Sequence, residues 1–290
     1  MSKLALGTAQ FGLKYGVANQ EGKIKFSEVE KILKLAKNSN IDLIDTAMVY
    51  GNSEKVIGET GVNDFKFVSK LPSLSKDCND LNSWVEEHVQ SSLIRLGISS
   101  LYGLLIHRSN DLLGNHGKKL IKALEMMKSN GLVKKIGVSI YDPSECEQFM
   151  QLSRFDIVQA PLNLVDRRFE ASGWLSKLYS EEIEIHTRSA FLQGLLLMPS
   201  NRIPKNFYKW SDIWEKWSLE LKKNELSAAE ACLLYPLSLP EIEHVIVGVD
   251  NADQLNQLVK KSKSKHSQID FSFMISNDQM LINPSNWHKL

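Results

Sequence analysis

Eight short apolar runs, separated by longer amphipathic stretches, limit what this chain can fold into more than any other feature. The runs are Leu4–Gly7, Asp42–Ala47, Phe65–Leu71, Tyr102–His107, Lys134–Ile140, Asp156–Pro161, Glu184–Ala190 and Val245–Val249. Most are apolar through their middles instead of alternating. That is the pattern of strands covered on both faces, as in a parallel sheet with helices outside it. The intervening stretches carry helix signals. Ser27 is placed as an N-cap with Glu30 three residues later, Pro143 after Asp142 sits at a first helical position, and Asn251 to Lys260 sets Leu255, Leu258 and Val259 on one face. Gly97 and Gly131 stand where helices should end before strands four and five.

Alternating strands and helices over 290 residues predict an α/β fold, a single parallel (β/α)8 TIM barrel domain spanning 1–290, for which about 250 residues is the usual size. A doubly wound open sheet is the competing architecture. The missing G-x-G-x-x-G after the first strand weighs against it. Two stretches depart from the regular pattern: 198–211, polar and aromatic, reads as a long loop after strand seven, and a Ser- and Lys-rich stretch from Ser262 leads to a C-terminal tail containing Trp287.

Composition narrows the function classes. With 35 Lys+Arg against 34 Asp+Glu, no broad field attracts phosphate backbones or anionic membranes, so nucleic acid is not an expected partner. Cys78, Cys146 and Cys232 are far apart and odd in number, which predicts buried structural thiols in a reducing compartment. The apolar run after Met1-Ser2-Lys3 is too short for a signal peptide, and no stretch approaches the roughly 20 apolar residues of a membrane span. A cytoplasmic protein without a membrane partner is the expectation; the oligomeric state is left open.

In a barrel of this kind the chemistry stands at the C-terminal ends of the strands. Asp45 ends strand two, Tyr50 follows in the loop, Lys70 ends strand three and His107 ends strand four. Each alone has an ordinary explanation: a turn aspartate, a packing tyrosine, a solvated lysine, a core histidine. Together, at three successive strand mouths, they make a proton-transfer set. Hydride delivery to a carbonyl builds charge on oxygen, and a phenol is a sluggish donor unless a cation assists it. Lys70 is expected to supply that cation, Asp45 to hold it, and His107 to orient the substrate oxygen. In reverse, the tyrosinate acts as base.

The stretch Asp45-Thr46-Ala47-Met48-Val49-Tyr50-Gly51-Asn52-Ser53-Glu54 resembles the Asp-Thr-Ala-x-x-Tyr-Gly-x-Ser-Glu signature of aldo-keto reductases. Gly7-Thr8-Ala9-Gln10-Phe11-Gly12, Ser69-Lys70 and Leu105-Ile106-His107 resemble that family's first, third and fourth strands, and the resemblance runs from Leu4 to about Leu258 in the family's order. It implies reduction of an aldehyde or ketone, or the reverse, with a catalytic tetrad of Asp45, Tyr50, Lys70 and His107. It also implies a nicotinamide cofactor, NADP(H) or NAD(H), beside Gly7, Thr8 and Asp45.

The remaining cofactor contacts follow from the same resemblance. Ser139 and Gln159, with Asn163, match the residues around the nicotinamide, although Ile140 stands where an Asn commonly follows the serine. Arg188 occupies an aromatic position: its flat guanidinium would stack on the ring and favour the reduced form, or it forms a structural ion pair beside the barrel. Ser189 and the backbone from Phe191 through Gln193 to Gly194 would cradle the pyrophosphate. Gly248, Val249, Asp250 and Gln254 match the adenosine loop. An acid there repels a 2′-phosphate, while family habit is NADP(H), so the nucleotide stays open.

Phe11, Tyr15, Met48, Tyr141 and Trp210 are candidate walls of an apolar substrate pocket, with Arg108 meeting an anionic substrate or solvent. Two other readings stand beside this one. A Schiff-base aldolase would use Lys70 as nucleophile, which the adjoining Asp45 opposes. A cofactor-binding sensor or partner module would keep the cleft without turnover. No metal site is expected, since the seven histidines show neither His-x-His nor His-Glu-x-x-His spacing.

Overall fold

The computed structural model describes residues 2–62, 64–75, 78, 80–263 and 269–290. The eight apolar runs become eight parallel strands: β1 Leu4–Gly7, β2 Leu43–Asp45, β3 Lys66–Leu71, β4 Leu101–Ile106, β5 Val133–Ser139, β6 Ile157–Pro161, β7 Glu184–Arg188 and β8 His244–Gly248. They close in chain order, and β8 pairs back onto β1 from Leu4↔Val245 to Gly7↔Gly248. The open sheet is thereby excluded.

Helices cover the outside because each carries one apolar stripe. In Phe26–Asn38 the buried residues are Val29, Ile32, Leu33 and Ala36, the i, i+3, i+4, i+7 series of one helical face. Leu81–Leu96 starts on the Asp80 carboxylate, which accepts from the Asn82 and Ser83 amides, and stops at Gly97 in the left-handed conformation. Ala252–Lys261 buries Leu255, Leu258 and Val259 and is capped by Asn251, as expected.

Two helix starts differ from expectation. The first long helix is entered from Lys25, so Ser27 lies inside its first turn and caps nothing. After β5 the helix is Glu145–Met150. Pro143 belongs to the turn before it, where Asp142 and Pro143 carbonyls accept the Glu145 and Cys146 amides.

The stretch after β7 is also more ordered than a loop. It holds the short 3₁₀ helices Ser200–Arg202 and Lys205–Trp210 and runs into the helix Ser211–Lys223. Phe207, Trp210, Trp214 and Trp217 are buried while Tyr208 is exposed: Trp214 donates to Phe207 O at 2.9 Å, Trp217 to Leu196 O at 3.2 Å, and Phe207 packs against Trp287 of the tail. Cys146 and Cys232 are buried free thiols, whereas Cys78 is only half-buried. No helix of the described residues is long and apolar enough to cross a membrane.

The barrel interior decides where the chemistry goes. Ala5, Leu43, Val68, Leu105, Ile157 and Ile246 form its apolar middle layer. Side chains on a strand return to the same face every second residue, so two residues beyond each middle position lies the next inward one: Gly7, Asp45, Lys70, His107, Gln159 and Gly248. Gly137 and His186 hold the middle positions of β5 and β7, and their successors are Ser139 and Arg188. One apolar layer thus supports one polar layer at the C-terminal mouth.

Candidate active site

Asp45 and Lys70 anchor the polar layer. Lys70, 1% exposed, donates to both Asp45 oxygens at 2.8 and 2.7 Å and to Thr46 O at 2.8 Å. Gln159 Nε2 donates to Asp45 Oδ1 at 2.7 Å. Burial pulls the Lys70 ammonium down and the Asp45 charge opposes that pull. A buried cation needs such a partner, because an unpaired charge in the interior is strongly destabilising.

Tyr50 reaches this pair from the loop after β2. Its ring meets His107 edge-on at 6.0 Å, and Lys70 Nζ lies 5.5 Å from its centroid. The loop is held by bare backbone. A Cβ on Gly12 would lie 1.8 Å from Tyr50 O and 2.6 Å from Ser53 N, and Gly51 takes a φ of +57° against Gly12. Ser53 Oγ then ties the loop to β1 by donating to Thr8 O at 2.9 Å. The buried Glu54 accepts from Ser69, Ser92 and Arg95. The Ser-Glu end of the sequence signature is therefore the clamp that fixes the tyrosine loop to β1, β3 and the helix Leu81–Leu96.

Electrostatics correct one expectation. Although Lys70 Nζ lies 5.5 Å from its ring centroid, the Tyr50 phenol is not brought down. Burial, reinforced by Asp45, raises the phenol above its ordinary 10, and the opposing cation is Arg188. Burial, with Lys70 and Arg188 adding to it, lowers His107 to about 4, so the imidazole is neutral near pH 7.

A cleft of about 280 Å³ opens over this layer, lined by Gly7, Thr8, Asp45 and Tyr50, by Arg188, Ser189, Phe191, Gln193 and Gly194 after β7, and by Gly248, Asp250 and Gln254 after β8. Eleven of the cofactor residues named from sequence meet there. Three do not. Val249 is 2% exposed and packs in the core. Ser139 and Gln159 are register partners, both buried, and Gln159 Oε1 has no partner among the described residues. Asn163 is structural: it donates to Ser189 O at 3.0 Å and accepts the Val165 and Asp166 amides.

The wall also holds residues that the sequence reading passed over: Gln10, Gly16, Ala18 and Asn19. The segment between β1 and the first long helix crosses the cleft, with Val17 N donating to Gln193 O at 3.0 Å and Asn19 Nδ2 to Asp250 Oδ1 at 3.1 Å. Its only local signal was the pair of turn glycines Gly16 and Gly22, both at positive φ.

The substrate-wall candidates divide. Tyr15 lines the cleft, Tyr141 lies under Arg188 with the guanidinium carbon 4.5 Å from its ring, and the exposed Arg108 adds to the field that lowers His107. Phe11 is wholly buried in the core, half-buried Met48 packs against that core, and Trp210 points its indole N–H at Asp278 in the tail. Of the six candidates, Tyr15 alone is among the residues that line the cleft.

Two other features need placing. A larger groove, about 780 Å³, opens at the opposite end of the barrel beside Lys3, Asp42 and Phe65, far from the tetrad residues. At that end the register pairs His186 with His244, and with Glu184 they bring ligand-type atoms within 4.8 Å of one another. Spacing along the chain could not reveal this, since the two histidines lie on different strands. Glu184 is already occupied by His186 at 2.7 Å, Tyr102 at 2.8 Å and Lys135.

Comparison with known proteins agrees with this fold. The chain is similar to the uncharacterized oxidoreductase YqkF of Bacillus subtilis (strain 168), 24% identical, covering 91% of this chain and 92% of that one. It is also similar to the NADH-specific methylglyoxal reductase of Escherichia coli (strain K12), 24% identical over 85% of this chain and 86% of that one. The aldo-keto reductase AKR11C1 from Bacillus halodurans in its holo form has the same fold, with a TM-score of 0.75 at 18% identity, covering 94% of this chain and 90% of that one. The Aldo/keto reductase family model matches residues 3–274, and the chain therefore belongs to the aldo/keto reductase family.

Proposed function

We infer that the chain is an enzyme that reduces an aldehyde or ketone to an alcohol, or runs the reverse reaction, with Tyr50 as the acid or base and a nicotinamide dinucleotide as the hydride carrier. The observation that carries this reading is the meeting of Tyr50 and His107 with the buried Asp45–Lys70 pair, where Asp45 and Tyr50 line one cleft. The names of the relatives, a methylglyoxal reductase and a glycerol dehydrogenase from Gluconobacter oxydans, support the carbonyl and alcohol chemistry.

The cleft residues fit a dinucleotide. Gly7 and Gly248 put bare backbone in the wall, where a Cβ on Gly248 would lie 2.6 Å from Gln10 Nε2. Ser189, Leu192, Gln193 and Gly194 all take positive φ, curling the loop after β7 around the space where Ser189 and Gln193 would hold the pyrophosphate. The unpartnered Gln159 Oε1 is an acceptor of the kind a carboxamide N–H requires. Asp250 and Gln254 would face the adenosine ribose, an arrangement that suits NAD(H) better than NADP(H). When bound, the nicotinamide supplies or takes up the hydride.

The protein's part is proton transfer and positioning. The Tyr50 hydroxyl makes no hydrogen bond to another described residue and is therefore free to meet a substrate oxygen. Its raised pKa keeps it protonated at neutral pH, the form required for reduction. Neutral His107 donates an N–H to the same oxygen and fixes its position. Asp45 keeps Lys70 charged and fixed beneath the tyrosine ring, and Gln159 keeps Asp45 in place. Alcohol oxidation needs the tyrosinate instead, so its rate rises with pH through the alkaline range.

The test is cofactor absorbance with a panel of aldehydes and ketones. Tyr50→Phe is expected to lower kcat about 10²–10⁴-fold, the usual contribution of a positioned acid, while the cofactor Kd stays within about twofold. A variant with near-normal kcat shows that the acid is misassigned. A wild-type protein that binds cofactor but turns over no substrate shows a binding module instead of an enzyme.

A further inference from the structure

We propose that Arg188 makes the cleft discriminate between the two oxidation states of the nicotinamide, holding the reduced, neutral ring and repelling the oxidised, cationic one. The proposal rests on the functional reading above and concerns the same cleft.

The first support is placement. Glu184, His186 and Arg188 are the inward residues of β7, and Arg188 is the one in the mouth layer, lining the cleft with Asp45 and Tyr50. The guanidinium is also fixed in orientation. Nη2 donates to Ile140 O at 2.9 Å, Nη1 donates to Ser189 Oγ at 3.3 Å, and one face rests on the Tyr141 ring at 4.5 Å. With two edges bonded and one face covered, the other face is left for a flat ligand.

Among the described residues the charge has no acid paired with it. Arg168 pairs with Asp142 and Asp166, and Arg95 with Glu54; among the described residues Arg188 pairs with no carboxylate. Asp45, in the same layer, is taken up by Lys70 and Gln159. The ion-pair reading of Arg188 is thereby set aside. Its field reaches the reacting groups, opposing the rise of Tyr50 and adding to the fall of His107.

A planar cation stacks favourably on a neutral π ring and unfavourably on a positively charged one, and a half-buried site screens the difference less than water does. The reduced cofactor therefore binds preferentially and the oxidised form is released more readily, so the bound couple has a higher midpoint potential than the free one.

Calorimetry on the full chain would measure Kd for NADH, NAD⁺, NADPH and NADP⁺ with wild type, Arg188→Gln and Arg188→Lys, with folding checked by circular dichroism. The ratio of oxidised to reduced Kd is expected to fall roughly tenfold in Arg188→Gln, which lowers the preference by about 30 mV for a two-electron couple. Arg188→Lys should keep most of the ratio while both affinities weaken, because it retains the charge and loses the plane. A ratio changed by less than about twofold in a folded Arg188→Gln that still binds both forms overturns the proposal. So does a variant in which only the KM for a carboxylate-bearing aldehyde rises relative to a neutral one, since Arg188 then serves an anionic substrate. Wild type that binds neither couple overturns the functional reading itself.

Discussion

The Asp45–Lys70 pair shows how closely a single contact ties stability to chemistry. Both side chains are buried, at 6% and 1% exposure, and each is the other's principal counter-charge. Lys70→Met leaves the Asp45 carboxylate alone in the interior, and urea denaturation should show a loss of about 3–5 kcal/mol, the usual penalty for breaking a buried pair from one side. A loss below 1 kcal/mol would mean that Asp45 is solvated or protonated. A second prediction concerns acid. Burial holds His107 and His244 at about 4, against 6.5 for an unperturbed imidazole. Between these values the unfolded chain binds protons that the folded chain refuses, so stability must fall as pH drops through the window. Glu184, held at about 2 by His186 and Lys135 despite its burial, loses its contribution only at lower pH. Thermal melts should show Tm falling between pH 7 and 5, with a shallower fall in His244→Gln. Equal Tm at both pH values would contradict the assignment.

At the level of strands and loops, the tyrosine is positioned by backbone packing more than by any side-chain bond of its own. Gly12 and Gly51 let two loops touch main chain to main chain, and Ser53 and Glu54 fasten the second loop to three elements. Gly12→Ala should therefore force the Tyr50 loop outward. The expected result is a destabilisation of about 1–3 kcal/mol, as for overpacking elsewhere, with kcat reduced more than the cofactor affinity. A wild-type kcat in this variant would show that the loop tolerates displacement. The strands themselves were legible in the sequence because buried parallel strands read as continuous apolar runs. The helix starts were less so: Ser27 and Pro143 carry the right local chemistry, but packing placed the helix ends one or two residues away.

Over the molecule as a whole, the cleft is assembled from the loops after β1, β2, β7 and β8, elements far apart in sequence that closure of the barrel makes neighbours. Asp250 illustrates the consequence. Its carboxylate accepts from Asn19 across the cleft, and its own amide donates to Gln254, so this end of the cleft is built jointly by both ends of the chain. Replacing the acid with a base, Asp250→Lys, should shift the preference toward NADPH, read as the ratio of kcat/KM for the two reduced cofactors. An unchanged ratio would place the adenosine phosphate elsewhere.

The one-dimensional pattern was enough to specify eight covered strands, their order and the four polar residues that meet at the barrel mouth. Burial on both faces forces an apolar run, and the strand period of two then assigns each mouth residue its inward direction. Orientation and partnership were out of its reach. Nothing local separates Phe11, turned into the core, from Tyr15, turned into the cleft, and nothing local announces that Trp210 faces the tail or that His186 meets His244. Those choices depend on which surfaces closure of the barrel brings within a few ångströms of each other. The charge of Arg188 is the sharpest case: whether it is cancelled depends on where every acid in the fold comes to rest.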